Sequence, residues 1–400
     1  MIRKVLKDNL KRALEEAGHK DIEPEVPATT DPSFGDYYSS IALKLAKPDS
    51  SQKPQEVAKS LQAKLPKNED IFSASVAPNS FINFKIAEKY LQNQVKEIIE
   101  AGPNFGRLEA GYGKKARVEF ISANPTGPLH IGNARGGPIG DTIANVLEFA
   151  GYKVLREYLN NDRGNQVYEL GKTLAVKADL IETSQDELTY KGEYTDELAK
   201  KVKKEIGSVG KLKEDQIIKK AGEIGTKLLY KDILNDALDI GIKFDLLVNE
   251  SDLQKKLPSA FKLLESKNLL IKQDGATWFL LGRGFDETRD AVVVKSDGSY
   301  TYFGADIVYH KEKFESGYDL IIDVFGSNTS GHVPKLEALI KALGYDLNKF
   351  KAILYQFVRV KRRDEAVKMS KRVGNFVTAR EVLDEVGKDA FRYFMLMHDP

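Results

Sequence analysis

One segment of the sequence holds residues that could stabilise phosphate. In Val118–Gly137, which reads VEFISANPTGPLHIGNARGG, a strand-like run is followed by a Pro/Gly loop and the start of a helix that carries His130, Gly132 and Asn133. Free N–H groups and the helix dipole favour anions at a helix start, and both polar side chains can donate hydrogen bonds. Gly132 would let the backbone approach a nucleotide closely. We predict a phosphate site here, although a His and an Asn that only cap a helix would give the same local pattern.

A second segment, far along the chain, carries the basic residues that such a site needs. Lys368-Met369-Ser370-Lys371-Arg372 follows a strand-like run and precedes Gly374-Asn375. Two lysines on this loop could close over a triphosphate and neutralise the pyrophosphate that leaves. A solvated basic loop would explain the pentapeptide alone equally well, since Lys361-Arg362-Arg363 lies nearby. Together and in this order, the two segments favour catalysis by charge stabilisation, without a covalent nucleophile.

Composition excludes several other kinds of site. The 400 residues include no cysteine and five histidines, and 61 basic residues face 59 acidic ones. Disulfides, thiolate nucleophiles and Cys-ligated zinc are therefore excluded, and we expect no metal site built from protein side chains. The net charge of +2 means that any nucleic-acid surface must be a local patch. No segment has the pattern of a signal peptide or a membrane span, so we expect a cytoplasmic protein without membrane contact.

The elements that must position these residues are predicted by hydrophobic periodicity and by turn residues. Residues 1–108 predict a small N-terminal α/β domain with an opening amphipathic helix. Residues 109–345 predict a Rossmann-type α/β domain with a parallel sheet and a helical insertion at about 167–270. Residues 346–400 carry the end of that domain, the Lys368–Lys371 loop and the start of a further helical region.

The strands of the parallel sheet are predicted from apolar and β-branched runs. These runs are Ala116–Ser122, Lys153–Tyr158, Trp278–Leu281, Ala291–Lys295, Leu320–Phe325 and Lys351–Val360. The runs after the insertion are expected to complete the second half of the same sheet. Helices are predicted around Ile307–Phe314, Val333–Leu343 and Ala379–Met397.

The two motifs resemble the signature pair of class I aminoacyl-tRNA synthetases, His-x-Gly-His after a first strand and Lys-Met-Ser-Lys after a last one. The segments around them are similar to the arginyl-specific branch: EFISANPTGPLHIGNARGGPIGD, YLNNDRGNQ, SDGSYTYFGADIVYH and KMSKRVGNFVTAREVLDEVGKDAFRYFML. This resemblance implies an arginine–tRNA ligase that activates arginine with ATP and Mg²⁺ and transfers it to the 3′-terminal adenosine of tRNA(Arg). It also implies a monomer whose N-terminal domain contacts tRNA.

The resemblance assigns roles to individual residues. The catalytic residues would be His130, Asn133, Lys368 and Lys371. ATP would be bound by Pro128, His130, Gly132, Asn133, Lys368, Met369, Ser370 and Lys371. Arginine would be bound by Glu119, Ser122, Asn124, Asn133, Tyr302, Asp306 and Asn328. A guanidinium is always charged and presents a planar fork of donors, so carboxylates and amide oxygens suit its pocket.

Two departures from the family pattern keep other functions open. Asn133 stands where the family has its second histidine, so we expect it to bind and orient rather than titrate. The run Gly326–His332 replaces a Gly-Ala-Asp-His-His-Gly run, and we assign no chemical role to His332. A catalytically silent tRNA-binding paralogue and a related nucleotidyltransferase remain as alternatives. We also expect the family's C-terminal anticodon-binding domain to be absent, because the sequence stops at Pro400.

Overall fold

The computed structural model describes residues 2–46, 53–182, 184, 188–207, 212–281, 290–356, 358, 361–362, 365–366 and 377–399. Lys368–Lys371 and the side chain of Tyr302 lie outside the described part. The chain forms two compact units, Met1–Gly106 and Arg107–Pro400. The three domain ranges predicted above stay a prediction. No helix in the described ranges is both long enough and apolar enough to span a bilayer.

The first unit packs helices against a small antiparallel sheet. Its elements are α1 (Ile2–Glu16), β1 (Tyr37–Ser39), α2 (Ile41–Leu45), α3 (Pro54–Ala63), β2 (Ile71–Val76), β3 (Ile82–Ile86) and α4 (Glu88–Ala101). The strand order is β1-β3-β2. Leu6, Leu10 and Leu14 recur at helical spacing on α1 and are fully buried in one cluster with Ile82 and Phe84 of β3.

The second unit contains the remaining elements. Its first half holds β4 (Lys115–Glu119), α5 (Ile131–Ala134), α6 (Gly136–Phe149), β5 (Lys153–Asn160), α7 (Asn165–Lys177), α8 (Glu193–Ile206), α9 (Glu214–Asp239) and β6 (Leu246–Asn249). Its second half holds α10 (Glu250–Gln254), α11 (Leu257–Ser266), β7 (Leu270–Gln273), β8 (Ala276–Phe279), β9 (Ala291–Val294), α12 (Tyr302–Glu315), β10 (Leu320–Gly326), α13 (Val333–Leu343), β11 (Phe350–Tyr355), β12 (Lys361–Arg362), β13 (Glu365–Ala366) and α14 (Ala379–Leu396).

A five-stranded parallel sheet organises this second unit. Its strand order is β11-β10-β4-β5-β6, and every neighbouring pair is parallel. Connections run in opposite directions from β4 and from β10, so these two strands meet at a topological switch point, where α/β sheets open a crevice at their carboxyl ends. In the register of the sheet, Glu119 at the end of β4 lies beside Asp323 of β10 and Glu157 of β5. The predicted fold class, α/β with a parallel sheet, is confirmed.

Two predicted strands belong elsewhere. The runs at Trp278–Leu281 and Ala291–Lys295 form β8 and β9, which pair with β7 in a separate antiparallel sheet, so their placement in the parallel sheet was wrong. Asp274 and Gly275 between β7 and β8 both have positive φ, which suits a two-residue hairpin turn. A parallel pairing would need a long crossover instead. The fifth strand of the parallel sheet is β6, which lies inside the range predicted as a helical insertion.

Within that range, α7, α8 and α9 form a bundle with its own hydrophobic cluster. Helices α7 and α9 pack closely because glycines face each other. A Cβ atom added to Gly171 would lie 2.2 Å from the carbonyl oxygen of Ile218. After this bundle the chain returns to the parallel sheet as β6, and α10 and α11 follow within the same range.

Candidate active site

A cavity of about 630 Å³ lies at the carboxyl ends of β4 and β10, at the switch point of the sheet. The residues predicted to bind arginine that line it are Glu119, Ser122, Asn124, Asn133, Asp306 and Asn328. Tyr302 is the first residue of α12, four positions before Asp306, and its side chain is not described. The structure thus brings together residues far apart in sequence, as a common ligand requires. Their individual roles stay predictions.

A strained turn follows β4, and both of its residues with positive φ line the cavity. Ile121 and Ser122 have φ of 66° and 39°, in the left-handed region that β-branched residues rarely adopt. Ser122 is held on two sides, since its Oγ donates to Glu119 Oε1 at 2.8 Å and accepts from the Leu159 amide at 3.0 Å. Backbone strain of this kind persists only where the surroundings impose it, and it is common at functional sites.

Asn124 is held by a chain of amide groups. Its Nδ2 donates to Gln166 Oε1 of α7 at 2.9 Å, and its Oδ1 accepts from Asn161 Nδ2 at 2.7 Å. All three side chains line the cavity. The amide of Asn124 is therefore oriented before any ligand arrives, which reduces the entropy lost on binding.

Glu119 belongs to a buried charge cluster beneath the cavity. Lys313 Nζ, which is fully buried, donates to Glu119 Oε2 and to Asp323 Oδ1, both at 2.6 Å, and His310 Nε2 lies 3.0 Å from Asp323 Oδ2. Burial raises the pKa of Glu119. Burial also opposes ionisation of Asp323, but the charge of Lys313 and the hydrogen bond from His310 outweigh it and lower the pKa of Asp323 to about 2. Glu119 already accepts from Lys313 and Ser122, so it is better placed to position Ser122 than to meet a cation.

Asp306 is the carboxylate that faces the cavity from α12. Its Oδ2 lies 3.0 Å from His332 Nε2, and both residues line the cavity. The His332 ring packs edge-on against Phe303, with ring centroids 5.9 Å apart. Burial lowers the pKa of His332, but the hydrogen bond and charge of Asp306 outweigh it, so the pKa of His332 is raised. No sequence pattern predicts this pair, because its members lie on different elements.

Glu250 is a further carboxylate that the sequence prediction missed. It begins α10 directly after β6, and it is 5% exposed. Its Oε2 has no hydrogen-bond partner among the described residues, and its Oε1 accepts from Gln254 Nε2 at 3.4 Å. Burial raises the pKa of Glu250 to about 7, and the charges of Asp306 and Asp162 add to this effect. Glu250 does not line the cavity, but its unsatisfied oxygen and its electrostatic interaction with Asp306 make it a candidate second partner for a cationic ligand there.

His130 begins the short helix α5 beside the cavity. Its Nδ1 accepts from the Gly132 amide at 2.9 Å, which leaves the ring proton of the neutral imidazole on Nε2. Of the described residues predicted to bind ATP, Asn133 lines the cavity, whereas Pro128, His130 and Gly132 do not. The backbone amide of Ala379 donates a hydrogen bond to the carbonyl oxygen of Leu129, and the amide of Ile131 donates one to the carbonyl oxygen of Val377. The chain that follows Lys368–Lys371 therefore returns to the His130 segment.

Arg135 fastens this segment to two other parts of the unit. Its buried guanidinium donates to the carbonyl oxygens of Gln356 at 2.6 Å, Met395 at 3.2 Å, His398 at 2.9 Å and Asp399 at 2.8 Å. It thereby caps the end of α14 and ties the end of β11 to the start of α6. Arg135 lies within the first motif, but no role was predicted for it from sequence. Within the described ranges, no group of three or more His, Asp or Glu side chains is arranged to hold a metal ion.

Two family models match the chain. The model of the catalytic domain of class I tRNA synthetases (R) matches residues 94–397, and that of the arginyl tRNA synthetase N-terminal domain matches residues 2–86. The chain belongs to the arginyl-tRNA synthetase family. The first match spans most of the chain and includes the cavity, the His130 segment and α14. The second covers α1 to β3 of the first unit.

Individual members of the family are similar over most of the chain. An arginine–tRNA ligase of Desulforamulus reducens is 39% identical over 94% of this chain and 68% of its own length. An arginine–tRNA ligase of Bacillus licheniformis is 37% identical over 98% of this chain and 72% of its own length. The crystal structure of a putative arginyl-tRNA synthetase from Campylobacter jejuni is 33% identical, covers 78% of this chain and 69% of that chain, and has a TM-score of 0.71.

Proposed function

We propose that this chain is an arginine–tRNA ligase, which converts arginine to arginyl-adenylate with ATP and transfers the arginyl group to the 3′-terminal adenosine of tRNA(Arg). The observation that carries the proposal is the cavity at the switch point, where Asp306 presents a carboxylate to the ligand space. This cavity adjoins the helix start of His130. Membership of the arginyl-tRNA synthetase family supports the same reaction over a silent paralogue or a related nucleotidyltransferase.

Recognition of the guanidinium is assigned to the carboxylates. Asp306 and Glu250 would supply the negative charge, because a guanidinium keeps its proton and needs a charged partner when it leaves water. Asn124 and Asn328 would add amide groups, and Tyr302 a hydroxyl. Glu119 would contribute indirectly, by accepting the hydrogen bond that holds the Ser122 side chain in place.

Activation is assigned to the His130 segment. The arginine carboxylate attacks the α-phosphorus of ATP, pyrophosphate leaves, and no enzyme nucleophile is needed. His130 would donate from Nε2 to a phosphate oxygen, while Asn133, Pro128 and Gly132 hold the nucleotide. Lys368 and Lys371, with Met369 and Ser370, would neutralise the leaving pyrophosphate. The hydrogen bonds of Val377 and Ala379 to the His130 segment support this assignment, since these residues follow the Lys368–Lys371 segment in sequence.

Mg²⁺ would enter with the nucleotide. Mg²⁺ commonly keeps several waters and is bound by substrate phosphates together with one or two carboxylates. The first unit would contact tRNA through Lys4, Lys11 and Arg12. Lys11 already pairs with Glu23, so it is partly engaged within the unit. We expect the enzyme to act as a cytoplasmic monomer.

Arginine-dependent exchange of pyrophosphate into ATP tests the proposed function. It is measured with and without tRNA(Arg), and with lysine and cysteine as control amino acids. We expect exchange that requires arginine and is absent with the controls. No arginine-dependent exchange, even with tRNA present, would contradict the proposed function and favour the silent tRNA-binding paralogue.

Glu250→Gln should make the protein more stable and its arginine binding weaker. Because burial raises the pKa of Glu250 to about 7, folding is favoured when the carboxyl is protonated, and this contribution is lost as the pH rises from the usual glutamate value through about 7. The glutamine amide stays neutral. We expect urea denaturation to show a stabilisation of about 1 kcal/mol at about pH 8 and almost none at about pH 4. The KM for arginine should rise about tenfold or more. Equal stability at both pH values together with an unchanged KM would remove Glu250 from the site.

A further inference from the structure

The pair His332 and Asp306 lies on the wall of the cavity, and His332 has no part in the proposed chemistry so far. Asp306 belongs to α12, and His332 ends the 3-10 helix Ser327–His332 just before α13. His332 Nε2 lies 3.0 Å from Asp306 Oδ2, and the side chains of His332 and Asp306 are 32% and 20% exposed. The imidazole therefore occupies one oxygen of the carboxylate that faces the ligand space.

The charges around His332 come from three elements. Asp306 faces it from α12, Asp323 from β10 and Lys335 from α13. Asp323 is already bound by Lys313 and His310, and Lys335 disfavours a second positive charge. The charged form of His332 therefore depends mainly on Asp306. Anything that competes for this carboxylate acts directly on the imidazole.

A bound guanidinium would compete in this way. It cannot lose its proton, whereas an imidazolium can. Two cations on one half-buried carboxylate repel each other, and Lys335 adds to the repulsion. After loss of the Nδ1 proton, the neutral imidazole still donates from Nε2, so the bond to Asp306 survives deprotonation.

We propose that His332 is a positioning residue for the arginine side chain, which holds Asp306 through Nε2 and releases its Nδ1 proton when the guanidinium binds. The proposal rests on the proposed function, because it takes arginine as the ligand of this cavity. Arginine affinity then increases with pH through the titration of His332, by at most about tenfold per pH unit for one released proton.

Histidine-selective NMR titration tests the proton release. The His332 resonance is identified by its loss in His332→Gln, and its pKa is measured with and without saturating arginine. We expect arginine to lower the pKa of His332. His19→Gln, in the first unit, is the matched control and should leave this response intact. A pKa of His332 that does not fall at saturating arginine would overturn the proposal.

Steady-state kinetics test the consequence for the substrate. Because the pKa of Glu250 is raised to about 7, its titration would add a pH dependence of its own, so the KM for arginine is compared in Glu250→Gln and in Glu250→Gln/His332→Gln. We expect the KM of the single variant to fall about tenfold between about pH 6 and about pH 8, and that of the double variant to be nearly flat. The glutamine keeps a donor for Asp306, so kcat should change little. Equal pH slopes in the two variants would overturn the proposal.

A further variant distinguishes failure of the His332–Asp306 pairing from failure of the proposed function. Asp306→Asn should lower the pKa of His332 whatever ligand the cavity takes, because it removes the charge that holds the imidazolium. An unchanged pKa of His332 in this variant would overturn the pairing, while the proposed function would still stand on arginine-dependent exchange by the wild-type protein. A wild-type protein that neither binds nor activates arginine would overturn the proposed function, and the proton release with it.

Discussion

Asp306→Asn is expected to raise the KM for arginine by about two orders of magnitude, with kcat changed much less. Removing one partner of a desolvated, charge-assisted pair costs about 2–4 kcal/mol, which corresponds to about 30-fold to 1,000-fold in affinity. The asparagine keeps the size of the side chain and a hydrogen-bond acceptor. The loss therefore measures the charge of Asp306 rather than its shape.

The measurement is the arginine dependence of ATP–pyrophosphate exchange, with urea denaturation as a check on folding. Asp252→Asn is the matched control, since Asp252 is an exposed carboxylate on α10 that pairs with Lys255. It should behave as wild type. If Asp306→Asn bound arginine normally, the guanidinium would have to lie elsewhere, and Glu250 would be the first carboxylate to test.

The parallel sheet could be predicted from sequence because buried strands are read from local pattern. The runs at Ala116–Ser122, Lys153–Tyr158, Leu320–Phe325 and Lys351–Val360 correspond to β4, β5, β10 and β11. The same pattern does not say which sheet a strand joins. The runs that became β8 and β9 were assigned to the wrong sheet for this reason. The weak run of β6 was absorbed into the insertion.

Site residues could be predicted where they belong to a motif with a known spacing of functional positions. Asn124 and Asn133 come from one segment and Asp306 from another, yet all three line one cavity. Residues whose importance depends on a contact between elements could not be found in this way. His332 matters through Asp306 on another helix, and Glu250 through its burial beside a strand whose place was unknown. Neither contact leaves a periodic or compositional signal.

The buried cluster beneath the cavity shows why motif residues need their contacts as well as their identity. Glu119 is in the right place to face arginine, but Lys313 and Ser122 occupy its oxygens. Burial of Lys313 between Glu119 and Asp323 keeps the three charges together, since removing one partner of a buried pair leaves an uncompensated charge. The cluster therefore holds the ends of β4 and β10 in register beneath the cavity, and this supports the proposal that Asp306, which lines the cavity, meets the substrate.

His130→Asn is expected to lower kcat for arginine activation by about 10²–10³, the size of one lost donor to a developing oxyanion. The physical reason is that the Nε2 proton would meet a phosphate oxygen most strongly in the transition state. Arginine KM should change by less than about threefold, because an interaction made only in the transition state affects kcat and not binding of the ground state. His130 also lies outside the residues that line the arginine cavity.

Asparagine is chosen because it separates catalysis from folding. Nδ1 of His130 caps α5 by accepting from the Gly132 amide, and an asparagine Oδ1 can make the same bond. His130→Ala loses both functions, so it should show the same fall in kcat and an additional loss of stability of about 1 kcal/mol in urea denaturation. A steep rise in arginine KM at constant kcat in either variant would place His130 in substrate binding. Wild-type kcat in His130→Asn with a loss in His130→Ala would reduce its role to that of a helix cap.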